Sequence, residues 1–487
     1  SSDGAHTFIL NEATAEGKSR FAADTPVISS VPEATGNGFR LGTPHVHVLD
    51  SNGDGFTDLV HAQNGRILLN RGNGDWEQMG SIETGTLSGL IDADFNVEEG
   101  ELRTIRFLDY DNDKRIDLLR STRTETSVFR NHGSGGFLED ETIGLLGYGI
   151  QEDNIQFTDM NGDGLLDPVK LNVGGLRYKL NLGWGQWSDE IEVLGLPIEE
   201  SELELASLED LNGDGLSDLV IAVGQTVKMA INRNGTSFSD INTFTSSQIE
   251  GGLPQRDATT TVLYADMNGN GSTDVVWLAA DGAVTYLELF PVRPNQLSRI
   301  ENGLGSVTDI TYDTSVQHMA RDGGWEAWQY RLPHPMLVVD SVTRYDLLTN
   351  IPEVTRYQYH DGFYDGIEKQ FRGYARVEIF TIGDEAHEDG HTITTFDVGA
   401  TDPYRNGLML THVNRSADRV LSEDSITYED CPLDEIPEGT SLPIRHVCAT
   451  SATQIIQEGT DPEHHITIES DMEYDVMGTS SSAAPME

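Results

Sequence analysis

The 487-residue chain contains only two cysteines, Cys431 and Cys448. Two thiols are too few for a thiolate metal cluster. An oxidising compartment would join them as one disulfide; otherwise they stay as two buried thiols. Basic residues are also scarce, with 31 Lys plus Arg against 81 Asp plus Glu and a formal net charge of −50. A surface of that sign repels phosphate, which argues against nucleic acid and anionic membranes as partners. Its ordinary meaning is a solvated surface, and the sharper alternative is an acidic wall for a cationic partner. No apolar run reaches the roughly 18 residues that mark a membrane span. No stretch has convincing amphipathic helical periodicity, so helices are not expected. The chain starts at Ser1 without a charged-then-apolar leader and ends in small residues from Ser480 to Glu487, which reads as a processed or partial chain. A G-x-S-x-G elbow, a phosphate-binding Walker loop, a dinucleotide fingerprint and a Cys/His cluster are all missing.

What the chain does have is a repeat. Asp50-Ser51-Asn52-Gly53-Asp54-Gly55-Phe56-Thr57-Asp58 recurs from Asp109, Asp159, Asp210 and Asp266, with starts 59, 50, 51 and 56 residues apart. Oxygen side chains fall at loop positions 1, 3, 5 and 9, and position 7 offers a backbone carbonyl. That donor set suits Ca²⁺, a hard cation needing about six to eight oxygens. The expected ligands are Asp50, Asn52, Asp54, Phe56 and Asp58; Asp109, Asp111, Asp113, Arg115 and Asp117; Asp159, Asn161, Asp163, Leu165 and Asp167; Asp210, Asn212, Asp214, Leu216 and Asp218; Asp266, Asn268, Asn270, Ser272 and Asp274. An EF-hand would need a Glu at position 12, where His61, Arg120, Lys170, Ile221 and Trp277 stand instead. Short apolar segments such as Leu219-Val220-Ile221 follow each loop, so the flanks are strands.

From His45 to about residue 295, each unit reads strand, acidic loop, strand, tight turn, strand, Gly/Asn turn, strand. Asn64-Gly65 is a hairpin signal, and further turns are expected at Gly72-Asn73-Gly74 and Gly133-Ser134-Gly135-Gly136. A unit of about 50 residues fits a four-stranded sheet too small to stand alone, and radial stacking into a β-propeller buries its faces. Residues 1–44, with Phe8-Ile9-Leu10 and glycines 36, 38 and 42 around Phe39, are expected as a degenerate sixth blade or a closing strand. Pro291 and Pro294 mark a boundary. The stretch 296–455 is β-rich without a period, and 456–487 is set apart as a last segment.

The order of acidic loop and N-x-G-x-G-x-F resembles the FG-GAP (VCBS) repeat. Two further blocks are more specific: Ile300-Glu301-Asn302-Gly303-Leu304-Gly305, and Tyr357-Gln358-Tyr359-His360-Asp361-Gly362-Phe363-Tyr364-Asp365 leading into Glu368-Lys369-Gln370-Phe371-Arg372-Gly373-Tyr374. From about residue 45 to 400 the chain resembles the B subunit of ABC-type (Tc) insecticidal toxin complexes, with its SpvB-like propeller and middle domain. Tyr474-Asp475-Val476-Met477-Gly478 resembles the opening of a YD (Rhs) repeat, with Thr479 where that repeat has Asn. The resemblance implies an all-β, secreted, non-enzymatic subunit. It would dock on a pore-forming A subunit and act as gate for a toxic enzyme enclosed, with a C subunit, in a YD-repeat shell. The rival class is a secreted or surface adhesin or lectin with a calcium-stabilised propeller.

Three constellations could suggest other chemistry. His387-Glu388-Asp389-Gly390-His391 matches H-E-x-x-H, but Asp389-Gly390 reads as a hairpin turn, whereas zinc ligation at this spacing needs a helix. His360, Asp361 and Asp365 are expected to stabilise tight turns through Asx contacts among packed aromatics. Trp184, Trp187, Trp325 and Trp328 are expected in blade cores, with a sugar- or protein-binding patch as the alternative.

Overall fold

A computed structural model describes residues 154–323 and 327–431, apart from 331, 350, 385–386 and 418. Outside that core it describes 5–8, 11–13, 19–21, 27–30, 39, 46–54, 56–61, 66–71, 75–78, 105–121, 126–132, 137–143, 445–457, 465–474 and 480–482. The expected turns at 64–65, 72–74 and 133–136, Trp325, and residues 475–479 of the YD-like segment lie outside the described residues. The chain divides into two compact units, one of residues 1–295 with 366–369 and one of 296–365 with 370–487.

The first unit is a five-bladed propeller. Each of blades 1 to 4 is an antiparallel meander of four strands, for example Ala206–Glu209, Asp218–Val223, Thr226–Ala230 and Asn242–Thr245 in blade 4. Blade 5 has three described strands, Thr261–Ala265, Asp274–Leu278 and Val284–Leu287. Successive side chains of a strand point to opposite faces, and the sequence exploits this by making both faces apolar. Val220 of blade 4 packs with Val275 and Trp277 of blade 5, while its neighbours Leu219 and Ile221 pack with Val169 and Leu171 of blade 3. Val60 and Ile67 of blade 1 meet Leu118 and Phe129 of blade 2 in the same way. The core is therefore a series of layers between blades, so a lone blade would leave both faces wet.

The N-terminal segment forms two small sheets, Ala5–Phe8 with Val27–Ser30 and Asn11–Ala13 with Ser19–Phe21, and neither is a four-stranded blade. Its Phe39 is fully buried against Leu59 and Leu68 of blade 1.

The second unit is one eleven-stranded antiparallel meander running from Arg299–Glu301 to Ser480–Ser482. The sheet is continuous across residues 455–456, since Val447–Gln457 pairs with His465–Tyr474. Contrary to the sequence expectation, a helix is present, Ser315–Arg321. At seven residues it is shorter than isolated helices need to be, and tertiary anchors hold it. Ser315 N–H donates to the Met336 carbonyl at 2.8 Å, Met336 N–H donates to Ser315 Oγ at 2.9 Å, and His318 is buried. Cys431 and Cys448 form a disulfide with Cα atoms 5.5 Å apart.

Candidate functional site

The five acidic loops share one construction. The first Asp is a hub for the loop's own backbone. Asp159 Oδ1 accepts from Gly162 N at 2.7 Å and Asn161 N at 3.2 Å, and its Oδ2 accepts from Gly164 N at 2.7 Å. Asp210 and Asp266 repeat the pattern with Gly213 and Gly215, and with Gly269 and Gly271. These amides can converge because both glycines of each loop have φ between +74° and +89°, a region that costs glycine little. In blade 2 the same positions are Asn112 and Lys114, and they adopt φ of 63° and 70° all the same.

The ninth residue does something else. Asp58, Asp117, Asp167, Asp218 and Asp274 are fully buried. One oxygen of each accepts from the backbone N–H of loop position 2, at 2.9–3.1 Å. In blades 1 to 4 the other oxygen accepts from the N–H of an asparagine on the third strand or just after it, Asn70, Asn131, Asn181 or Asn232, at 2.7–2.9 Å. Burial pushes the carboxyls of Asp117, Asp167, Asp218 and Asp274 up to about 7 against the help of those amides. A carboxylate has about four lone-pair sites, so bonding two amides leaves capacity for an ion.

Those asparagines are site residues that the sequence reading passed over. Asn232 Nδ2 donates to Met160 O of the blade 3 loop at 3.0 Å, and Asn131 Nδ2 donates to Ser51 O of the blade 1 loop at 2.7 Å. These two thus close their own loops through their backbones and tie them to the preceding blade's loop through their side chains, whereas Asn70 and Asn181 donate to their own loops at Thr57 O and Leu166 O. The signal was the Asn two or three residues before the Gly of the turn after the third strand, 12 to 14 residues beyond the ninth Asp.

The loops differ in the charged groups that stand beside them. In blade 2, Arg130 Nη1 lies 3.1 Å from Asp111 Oδ2, and the Arg115 side chain pairs with Asp113. Arg115, expected to serve only through its carbonyl, brings its own cation. In blade 5, both Asn268 and Asn270 donate side-chain amides to Glu288 Oε1, a carboxylate absent from the nonapeptide. In blade 1, Asp50 Oδ2 accepts from Lys369 Nζ at 2.6 Å, and residues 366–369 belong to the propeller unit. Leu165 is buried, whereas Phe56 is exposed.

The donor sets fit a hard cation. One oxygen each of Asp109, Asp111 and Asp117 lie within 4.8 Å of one another. Asp111 Oδ1 and Asp274 Oδ1 are buried without a hydrogen-bond partner, a costly state for a carboxylate oxygen that a cation relieves.

In the second unit the expected catalytic constellations come apart. His387 is exposed and bonds Asp384, while His391 bonds Glu378 at 2.6 Å and stacks on Phe380. The two histidines thus have separate partners on a strand hairpin. His360, Asp361 and Asp365 do not make Asx turns; they lie on the long strand Pro352–Asp365. His360 sits between Asp322 at 2.6 Å and Glu378 at 3.2 Å. Asp361, with φ of 55°, accepts from Gln329 N at 2.6 Å, and Asp365 accepts from Arg372 Nη2 at 2.6 Å and Nε at 2.9 Å. The aromatics around them do pack as expected, with Tyr359, Phe371 and Tyr374 in one cluster, whereas Trp328, expected in a blade core, packs in this cluster of the second unit instead. Trp184 departs from expectation. It is 68% exposed with φ of 53°, and Arg130 lies over its ring, while Trp187 packs in the layer between blades 2 and 3.

A family model for the insecticide toxin TcdB middle/N-terminal region matches residues 232–401, and one for the FG-GAP-like repeat matches 109–169. The chain has a TcdB-type middle region and FG-GAP-like repeats. Its fold is similar to part of a Photorhabdus luminescens Tc holotoxin pore structure, with a TM-score of 0.78 and 16% identity over 99% of this chain and 25% of that one. Structures titled TcdB2-TccC3 also match: the form without the hypervariable C-terminal region has a TM-score of 0.60 and 15% identity, covering 93% of this chain and 27% of that one. Another, of TcdB2-TccC3 itself, has a TM-score of 0.60 and 14% identity over 100% and 28%. The chain therefore spans about a quarter of the length of the structures it matches. No curated protein matches. Among the described residues no helix is long and apolar enough to cross a membrane.

Proposed function

We propose that the chain is a non-enzymatic assembly subunit of a secreted Tc-type toxin complex, which docks through its propeller on a pore-forming subunit and helps enclose a toxic enzyme with a YD-repeat C subunit. The observation that carries this reading is the Tc holotoxin pore match over 99% of the chain. It is supported by the TcdB-type middle region and by the separate partners that the H-E-x-x-H histidines find. In this reading the acidic loops bind Ca²⁺, whose role is to hold the blade rims. Asp, Asn and carbonyl groups of the five nonapeptides supply the ligands, and Asn131 and Asn232 transmit the constraint to the preceding blade.

The test is reconstitution. Mixed with a Tc pore-forming subunit and a C-type subunit, the chain should co-elute in size-exclusion chromatography, and electron microscopy should place the propeller at the pore subunit. A chain that joins neither subunit but is retained on a glycan array would replace this reading with the lectin one.

A further inference from the structure

Away from the propeller, three potential metal ligands meet where the helix Ser315–Arg321 leaves the sheet. One ring nitrogen of His318 and one carboxylate oxygen each of Asp313 and Asp340 lie within 4.8 Å of one another. His318 is 2% exposed, and its Nε2 is buried without a hydrogen-bond partner. A ring nitrogen buried and unbonded costs free energy, and here it belongs to a group within reach of two carboxylates. Burial above all, helped by the nearby Arg321 cation, holds the imidazole below the ordinary histidine value.

We propose that Asp313, His318 and Asp340 form a binding site for a first-row divalent cation, zinc foremost, and that Arg321 is the resident cation that the ion displaces. Arg321 pairs with Asp313 through Nη2, and its Nη1 lies 3.6 Å from Asp340 Oδ1. Its side chain is 49% exposed, so it can swing into solvent without opening a cavity. One guanidinium leaves the two carboxylates with a net charge of −1, whereas a dication neutralises them and also uses the imidazole, which Arg321 cannot do. The donor chemistry selects the metal. Calcium and magnesium prefer all-oxygen shells, while two carboxylates with a neutral imidazole suit zinc, leaving one position for water. Tetrahedral bonds of about 2.1 Å put ligand atoms roughly 3.4 Å apart, so groups now within 4.8 Å of one another close by at most about 1.4 Å when the ion binds. The strand geometry favours this: Asp313 pairs opposite Val338, close to Asp340 on the adjacent strand, and the helix begins two residues after Asp313.

The probe is zinc alone, titrated by calorimetry into the 487-residue chain with calcium in excess to saturate the acidic loops. One zinc per chain is expected. Asp340→Asn, a conservative change at a partly exposed side chain, should weaken it at least 10-fold, and His318→Gln should do so as well. Arg321→Gln should bind zinc more tightly than wild type, because the competing cation is gone. Cobalt should give a visible spectrum of nitrogen and oxygen ligation that is lost in Asp340→Asn. Equal binding by wild type and Asp340→Asn would place the zinc on exposed histidines and overturn the site. Binding by Arg321→Gln no tighter than wild type would overturn the displacement.

Discussion

Acidic residues are held in two different ways in the two units. In the propeller the repeated arrangement surrounds buried or half-buried aspartates with backbone amides, side-chain cations being added in blades 1 and 2: Asp218 accepts from Leu211 N and Asn232 N, and Asp210 from the amides of residues 213 to 215. In the meander sheet, carboxylates meet side-chain cations: Asp365 with Arg372, Asp397 with Arg405, and Asp430 with Arg445. The first arrangement is local, needs only a short motif, and can be copied from blade to blade. It also leaves the net negative charge uncancelled, because an amide is a dipole and not a counter-ion. The second arrangement cancels charge but depends on strands being in a particular register. A cation requirement should therefore fall on the propeller, and loss of a single side-chain cation should hurt the sheet.

Removing calcium gives the largest expected effect. Each ion bound only to the folded state contributes about 2.7 kcal/mol at a hundredfold excess over its dissociation constant. A chelator should lower the propeller's melting temperature by many degrees and leave the second unit's unfolding, followed by near-ultraviolet circular dichroism or hydrogen exchange, almost unmoved. The effect has a pH sign. The ninth-position carboxyls of blades 2 to 5 are raised to about 7 in the fold from a reference of 3.8, and burial raises that of Asp58 as well. A raised carboxyl keeps its proton in the folded state while the unfolded chain has lost it, so metal-free stability falls as pH climbs from about 4 through 7. Chelation should thus cost more at pH 8 than at pH 5.5, where protons already replace the ion. Equal melting with and without chelator at pH 8 would remove the cation from the account.

Next in size is Asp218→Ala. It leaves two buried N–H groups without acceptors, at about 1–3 kcal/mol each. Because the construction is repeated, Asp167→Ala should cost nearly the same, measured by denaturant unfolding. A difference above about 2 kcal/mol between the two would show that the blades are not equivalent. Arg372→Ala follows, at about 2–4 kcal/mol, since both partners are largely buried and removing one strands the other. Here no sister position exists to compare with, and the loss should appear in folding or assembly. A fully stable Arg372→Ala protein would show that the sheet's charge pairs are ornaments of register.

What could be read from the sequence follows the same division. Period, loop positions, blade plan and the packing of Phe371 and Tyr374 were all visible, because they rest on contacts between near neighbours in the chain or on a pattern repeated five times. Glu288 was missed because it lies 18 and 20 residues beyond the two asparagines it holds, outside the motif. Arg130 was missed for the same reason: it reaches Asp111 only because the third strand of blade 2 folds back beside the loop. The contacts of His360 with Asp322 and Glu378 depend on how a bulged strand pairs with its neighbour, with the register shifting between Phe363 and Tyr364. The helix Ser315–Arg321 is too short to leave a periodic pattern, and its anchor Met336 is distant in sequence. The N-terminal residues form hairpin-like pairs without a nonapeptide, so nothing in them announced which strands would meet.

The smallest predicted effect tests how far the amide construction tolerates a side chain. Lys114 stands where the other loops have glycine, yet it holds φ at 70° and donates its N–H to Asp109 Oδ2 at 2.8 Å. An L-residue there costs roughly 1–2 kcal/mol, and glycine gives back about 0.5–1 kcal/mol through the freedom of the unfolded chain. Lys114 Nζ also donates to Glu368 O at 2.6 Å, but the ammonium and the Glu368 carboxylate are both about half exposed, so that contact contributes little. Lys114→Gly should therefore leave metal-free stability unchanged or raised by no more than about 1 kcal/mol. Its effect on the ion should be clearer. Removing a positive charge beside Asp109, Asp111 and Asp117 favours a dication there, against the standing competition of Arg115 and Arg130. Calcium titration should show one site tightening several-fold in Lys114→Gly, and tightening further with Arg130→Gln, while the Asp159 and Asp210 loops keep their affinities. The blade 5 loop, whose nonapeptide has only Asp266 and Asp274 as charged members, should remain the weakest site. A titration in which Lys114→Gly changes no site would mean that blade 2 is neutralised by its two arginines and takes no ion.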